Sequence, residues 1–100
     1  MHPRHSLYKI FNEYGDRATI LNYGARVVSL DINVNQNVRN IILGYSEMDD
    51  YINDSYYMGA TIGRYSNRIK NSCYEKDGKK FVLSPNEGGN QLHGGPLGFD

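Results

Sequence analysis

The alternation that decides the fold runs through Val28-Ser29-Leu30-Asp31-Ile32-Asn33-Val34, where four apolar side chains alternate with three polar ones. Successive side chains of a strand point to opposite faces, so this period of two predicts a half-buried antiparallel strand with one wet face. It is the strongest periodic signal in a chain of 100 residues. We therefore expect a fold built from sheets.

Turn-forming residues on both sides of this strand predict further short strands. Upstream, residues 7–11 and 18–23 flank Asn12-Glu13-Tyr14-Gly15-Asp16, a connection typical of a hairpin. Asn22-Tyr23-Gly24-Ala25 then predicts a tight corner into the third strand, with Gly24 free to take a positive φ. Downstream, Asp77-Gly78 joins residues 74–76 to 79–83 and favours a two-residue hairpin turn, because both positions tolerate a positive φ.

Two weaker segments lie between these hairpins. Asn40-Ile41-Ile42-Leu43-Gly44 follows a polar loop and is a short apolar run, which predicts a more fully buried strand. Residues 46–53 are the one helical candidate, with Ser46 as the expected cap and Asp49-Asp50 suited to the positive end of a single turn. Short strands with so little helical period predict an all-β fold, an antiparallel β-sandwich or a barrel-like packing of sheets, with little helix.

Charge and composition exclude several classes of protein. Eleven basic and eleven acidic residues give a formal net charge of zero, so there is no broad positive field for nucleic acid and no basic face for anionic lipid. No run approaches the roughly 20 apolar residues that a membrane span needs, and the amino end lacks a secretory core. Cys73 is the only cysteine, which excludes an internal disulfide and zinc sites built from cysteine pairs. We expect a cytoplasmic protein with no nucleic-acid or membrane partner.

A polar, glycine-hinged cluster in the last third of the chain is not required by core packing. Asn67-Arg68 precedes Asn90-Gln91-Leu92-His93-Gly94-Gly95. Arg68 offers five fixed donors, Asn67 and Asn90 offer amides, and His93 can give or take a proton near neutral pH. This chemistry suits a hydroxyl-rich substrate. The rival interpretations are a solvated surface pair at Asn67-Arg68 and a loop histidine bonded to backbone. The acidic residues fall mostly in turns, and no two of them share an evident site.

Three motifs keep a characteristic order and spacing along the chain. They are Gly59-Ala60-Thr61-Ile62-Gly63-Arg64-Tyr65-Ser66-Asn67-Arg68-Ile69, then Asp77-Gly78-Lys79, then the run from Asn90 to Gly95 with Gly98-Phe99-Asp100. Together they resemble the amino-terminal part of the aldose 1-epimerase, or galactose mutarotase, family, from about Ile20 to Asp100. The resemblance implies that residues 1–100 are an amino-terminal fragment of a single large β-sandwich domain.

The resemblance also implies an activity and a set of site residues. Members of the family are isomerases that interconvert the α and β anomers of free hexoses such as galactose and glucose by acid-base ring opening, with no cofactor and no metal. Asn67 and Arg68 resemble residues that hold sugar hydroxyls, and His93 resembles the first active-site histidine. These three are the expected substrate-binding residues, with His93 also catalytic. The family's main acid, a second histidine, and its base, a glutamate, lie in segments that these 100 residues do not contain, so we expect the isolated chain to be inactive.

Two other functions stay open. A hexose-phosphate epimerase of the same fold would use arginines such as Arg64 or Arg68 on a phosphate group. A non-catalytic carbohydrate-binding fragment would hold a monosaccharide without exchanging its anomers. Whichever function holds, a fragment of a large sandwich leaves open strand edges. We expect these edges to favour self-association, because unpaired N–H and C=O groups there can pair with a second copy.

Overall fold

The computed structural model describes residues 5–99, which form two compact units, one ending at Thr61 and the other spanning Ile62–Phe99. Strands dominate both units, and every strand pair is antiparallel. Helical structure is limited to one α-helix of five residues and one 3-10 turn of three. No helix within residues 5–99 is long and apolar enough to cross a membrane.

The first unit contains a four-stranded sheet whose strands follow one another in chain order. The strands are β1 (Leu7–Phe11), β2 (Arg17–Leu21), β3 (Arg26–Val34) and β4 (Asn37–Asn40). The predicted hairpin between β1 and β2 is confirmed, with Leu7 opposite Leu21. So is the corner before β3, where Gly24 has a φ of 71°. The alternating stretch forms most of β3, but the strand is half-buried on both faces rather than wet on one, and only Val34 is exposed.

The fourth strand lies earlier in the chain than the sequence predicted. Asn35 and Gln36 have φ values of 52° and 67° and form a tight turn, which places Asn37 directly opposite Val34. The ladder with β3 ends at Asn40, and one further hydrogen bond joins the N–H of Ile41 to the Leu30 carbonyl at 3.0 Å. The prediction of a buried strand over residues 40–44 is wrong, since Ile41 is 59% exposed and Leu43 is 79% exposed.

The predicted helix is confirmed as α1, Met48–Ile52, although its cap differs from the expectation. Glu47, not Ser46, occupies the cap position, and no side chain caps the helix. The helix contributes Tyr51, which is 2% exposed and is, with Leu21, one of the two buried apolar residues in the described part of the chain. The hydroxyl of Tyr51 accepts a hydrogen bond from the main-chain N–H of Tyr45 at 2.9 Å and so ties the helix to the preceding loop.

A buried ion pair joins the start of β3 to the segment after α1. Arg26 Nη1 donates to Asp54 Oδ2 at 2.8 Å, and the two side chains are 1% and 0% exposed. Asp54 also accepts from the Tyr45 hydroxyl at 2.6 Å and from the main-chain N–H of Met58 at 2.9 Å. Burial alone would raise the pKa of Asp54, but the hydrogen bonds from Tyr45 and Arg26 outweigh it and hold that pKa below its usual range. The same bond to Asp54 raises the pKa of Tyr45 to about 12.

The second unit consists of two short antiparallel pairs. Its strands are β5 (Arg68–Ile69), β6 (Cys73–Lys76), β7 (Lys79–Val82) and β8 (Gln91–Leu92). β6 and β7 form the predicted hairpin, and Asp77 and Gly78 at its tip have φ values of 53° and 75°. β5 pairs with β8, which joins two segments that are distant in sequence.

Candidate functional site

The pairing of β5 with β8 brings the Asn67-Arg68 motif beside His93. Arg68 lies opposite Leu92 in the ladder, and one residue further along the main-chain N–H of His93 donates to the Asn67 carbonyl at 3.0 Å. The three residues singled out from the sequence therefore lie in one cluster, although 26 positions separate Asn67 from His93.

The imidazole of His93 is held by the polypeptide backbone. The main-chain N–H of Asn67 donates to His93 Nδ1 at 2.9 Å. A ring nitrogen that accepts a hydrogen bond carries no proton, so the neutral ring has its hydrogen on Nε2. Asn67 and His93 make this contact with φ values of 60° and 52°, a region that residues with side chains seldom occupy. The ladder thus sets both the position of the ring and its tautomer.

The guanidinium of Arg68 is anchored at two of its nitrogens. Nε donates to Glu87 Oε2 at 2.9 Å, and Nη1 donates to Asn67 Oδ1 at 3.4 Å. The side chain is 54% exposed, so its remaining donors face a region that solvent and small molecules reach. The hydrogen bonds from Arg68 and Asn90 hold the pKa of Glu87 below its usual value, so the carboxylate is charged near neutral pH.

Asn90, which belongs to the same motif, is used within the protein. Its Nδ2 donates to Glu87 Oε2 at 3.2 Å, and its Oδ1 accepts from the main-chain N–H of Asn71 at 3.0 Å. Asn90 therefore fixes the loop that leads into β8.

Gly94 allows the segment after β8 to approach the backbone at Gly63. Its φ is 93°, and a Cβ atom at this position would overlap the carbonyl oxygen of Gly63. A Cβ on Gly63 would in turn overlap the ring of Phe99. These glycines are needed for close backbone and ring contacts, as their motifs indicated.

A cavity of about 810 Å³ opens on the second unit next to this cluster, and Arg68 lines it. Arg64 and Lys70 add two further cationic side chains to its wall, and Tyr65, Tyr74 and Phe99 supply aromatic surface. Asn67 and His93 are not among its lining residues. Such a cavity combines aromatic rings, which pack against the C–H faces of a small molecule, with donors for its polar groups.

Glu87 is the member of the cluster that the sequence does not single out, because the acidic residues fall mostly in turns. The signal was its position three residues before Asn90, inside the segment that leads to His93. Within residues 5–99, no group of three or more His, Cys, Asp or Glu side chains is placed to hold a metal ion.

Comparison with known proteins gives one consistent result. The family model described as aldose 1-epimerase matches residues 6–100. The aldose 1-epimerase of Escherichia coli (strain K12) is 43% identical over 95 residues, which are 94% of this chain and 28% of that protein. The galactose mutarotase of Homo sapiens is 36% identical over 85 residues, 84% of this chain and 25% of that protein. The chain thus spans little more than a quarter of the length of these curated relatives.

Solved structures agree with the sequence comparison. A GalM/aldose epimerase homologue from C. elegans superimposes with a TM-score of 0.85 at 38% identity, covering 95% of this chain and 30% of that chain. A galactose 1-epimerase from Lactobacillus acidophilus NCFM does so with a TM-score of 0.81 at 26% identity, covering 95% and 27%. The fold class predicted from the strand pattern, an all-β antiparallel sandwich with little helix, is confirmed.

Proposed function

Because this chain belongs to the aldose 1-epimerase family, as its three motifs indicated and the match over residues 6–100 establishes, we propose that it supplies the sugar-binding residues of a cytoplasmic mutarotase. The chain is then the amino-terminal part of a single β-sandwich domain. The whole protein interconverts the α and β anomers of free hexoses such as galactose and glucose, and needs no cofactor or metal.

The observation that carries this proposal is the cluster joined by β5 and β8. Asn67, Arg68 and His93 come together through the bond from the Asn67 main-chain N–H to His93 Nδ1 at 2.9 Å and the contact from Arg68 Nη1 to Asn67 Oδ1 at 3.4 Å. A guanidinium, a carboxamide and an imidazole with its hydrogen on Nε2 form a set of donors suited to neighbouring sugar hydroxyls.

The reaction itself moves two protons. A base removes the proton of the anomeric hydroxyl, an acid protonates the ring oxygen, and the C1–O5 bond breaks to give the open-chain aldehyde. Rotation about C1–C2 and reclosure, with the proton movements reversed, yield the other anomer. Positioned acid and base groups each contribute typically 10²–10⁴-fold. In this scheme His93 donates from Nε2 to a sugar oxygen near the reacting bond and polarises it, while the main acid and base come from outside these 100 residues.

Polarimetry tests the proposal directly. Freshly dissolved α-galactose or α-glucose should approach its equilibrium rotation faster with the full-length protein that carries this chain than in buffer, and no acceleration would refute a mutarotase. His93→Gln should lower kcat/KM by about 10²-fold, because the positioned donor is lost. His5→Gln is the matched control in the first unit and should leave the rate unchanged.

The cavity wall favours one alternative. Arg64, Arg68 and Lys70 line the same space, as a hexose-phosphate epimerase would require for an anionic substrate. In the polarimetric assay, activity confined to phosphorylated sugars would favour that alternative, and activity on free hexoses would exclude it. A carbohydrate-binding protein without turnover would show calorimetric sugar binding but no anomer exchange.

We further propose that the 100-residue chain on its own self-associates through its strand edges. β1 is an edge strand of the four-stranded sheet and is exposed along its whole length. Its apolar side chains Leu7, Tyr8, Ile10 and Phe11 are 46–67% exposed. Such an edge presents unpaired backbone groups beside apolar surface. Size-exclusion chromatography with light scattering should show oligomers, and a folded monomer at high concentration would contradict this.

A further inference from the structure

Glu87 has no role in the function proposed above, yet it lies at the junction of the site. One carboxylate oxygen, Oε2, accepts from both Arg68 Nε at 2.9 Å and Asn90 Nδ2 at 3.2 Å. Arg68 belongs to β5, and Asn90 immediately precedes β8. Glu87 therefore connects the substrate-binding arginine to the segment that carries His93.

The backbone around Glu87 is held in place before its side chain makes these contacts. The N–H groups of Asn86 and Glu87 both donate to the Asn90 carbonyl at 3.1 Å, and the N–H of Asn90 donates back to the Glu87 carbonyl at 2.9 Å. An exposed ion pair is ordinarily worth little, because ordering two long side chains costs entropy. Here the turn fixes the backbone of Glu87, and Asn90 Nδ2 holds the same carboxylate oxygen that Arg68 binds. The ordering of the Glu87 side chain therefore supports two contacts and not one.

Anchoring Nε fixes the direction of the rest of the guanidinium. The group is planar, with five N–H donors in a rigid fork. When Nε faces Glu87, Nη1 lies on the side of Asn67, as its contact with Asn67 Oδ1 shows. Without Glu87, the flexible Arg68 stem would sample rotamers that turn these donors away.

We propose that Glu87 is a positioning residue: it locks the Arg68 guanidinium against the loop leading to His93, so that the Nη donors are preset for the hydroxyls of a bound sugar. This inference rests on the proposed sugar-binding function. The hydrogen bonds from Arg68 and Asn90 also hold the pKa of Glu87 below its usual value, because both donors favour the charged carboxylate.

The test compares Glu87→Ala and Glu87→Gln in the full-length protein. Glu87→Ala should raise the KM for galactose, and the calorimetric Kd, on the order of 10-fold with a smaller change in kcat, because a misplaced binding group costs more than its own pair energy. Glu87→Gln keeps one acceptor oxygen able to receive both Arg68 and Asn90, so it should restore KM to within about 3-fold of wild type despite losing the charge. Glu75→Ala, on β6 opposite Lys80, removes a carboxylate from the same unit and should change neither constant.

A double-mutant cycle separates positioning from a structural effect. If Glu87 acts through Arg68, then Glu87→Ala should have almost no further effect in an Arg68→Lys background, because the residue that it positions is already lost. Equal effects of Glu87→Ala in both backgrounds, failure of Glu87→Gln to restore KM, or a Glu87→Ala variant that matches Glu75→Ala would each overturn the inference.

The same measurements keep this inference apart from the proposed function. Wild-type protein that binds galactose without exchanging its anomers would refute the mutarotase, while the Kd values of the variants would still decide the role of Glu87. Wild-type protein that exchanges anomers, with Kd unaffected by Glu87→Ala, would refute the positioning role alone.

Discussion

Replacing Asp54 by asparagine should destabilise the protein far more than the loss of a surface ion pair would. The substitution keeps the shape of the side chain but removes the negative charge that faces Arg26, whose side chain is 1% exposed. Removing one partner of a buried pair costs about 3–5 kcal/mol, because the other charge stays buried without compensation. A domain is stable by only about 5–15 kcal/mol in total.

The hydrogen bonds of Asp54 indicate a loss of stability within the range expected for a buried ion pair. Asp54 receives hydrogen bonds from Arg26, from the Tyr45 hydroxyl and from the main-chain N–H of Met58. A carboxamide has only one acceptor oxygen, so its NH2 group would face at least one of these donors and leave it unsatisfied. We expect a decrease of about 4 kcal/mol in the free energy of unfolding.

The matched control is Asp31→Asn in the same unit. Asp31 receives hydrogen bonds from Arg17 Nε and Nη2 at 3.0 and 2.8 Å. The Arg17 side chain is 41% exposed and that of Asp31 is 14% exposed, so the free energy of unfolding should fall by only about 0–1 kcal/mol. Urea denaturation near neutral pH, followed by far-ultraviolet circular dichroism, gives both values from the midpoint and slope. Equal losses in the two variants would refute the reasoning that burial decides the energy.

Three further outcomes follow from the same structure. The pKa of Asp54 is lowered in the folded state, so the stability that Asp54 contributes is complete above pH 3.8, its ordinary pKa, and is lost as the pH falls below that value. Below pH 3.8, the urea midpoint should therefore fall less steeply with pH for Asp54→Asn than for wild type. Parallel curves would contradict this. The pKa of Tyr45 is raised to about 12 from 10.0, so the stability that its hydroxyl contributes is present below pH 10.0 and lost as the pH rises through about 12. The difference between the ultraviolet titrations of wild type and Tyr45→Phe should show one ionisation near pH 12. A midpoint near 10 would disprove the bond to Asp54. Gly94→Ala should lower the melting temperature, because its Cβ would overlap the Gly63 carbonyl oxygen, and should also abolish the sugar binding proposed above. Gly89→Ala, with no atom within 4 Å of its added carbon, should change neither property. Equal melting temperatures for the two variants would count against this packing.

The sequence was sufficient where a glycine-containing turn decides the local structure. The β1–β2 and β6–β7 hairpins were predicted because turns that combine glycine with asparagine or aspartate fix their registers within a few residues. Residues 40–44 were misassigned because the competing turn at Asn35-Gln36 has no glycine, and its left-handed backbone is not visible in the composition. An apolar run alone does not show which segment pairs with β3.

Contacts between charged residues that are distant in sequence could not be predicted from sequence patterns. Arg26 and Asp54 are 28 positions apart and carry residue types that are usually exposed, so nothing in the chain marks them as buried. Glu87 is half-exposed and lies at the start of a turn, so its sequence position gave no sign of the contact with Arg68, 19 positions away. The cluster of Asn67, Arg68 and His93 was predicted from motif resemblance, and the β5–β8 ladder that assembles it was not.

The bond that orients His93 comes from a main-chain N–H and not from a side chain. Any codon at position 67 other than proline retains that donor, provided that the new residue accepts the φ of 60°. In the proposed mutarotase, a mutant library at this codon would therefore vary the side chain offered to the sugar hydroxyls while the imidazole keeps the same orientation. If the proposed function holds, sugar preference changes through the side chain at position 67 while the main-chain bond to His93 is retained.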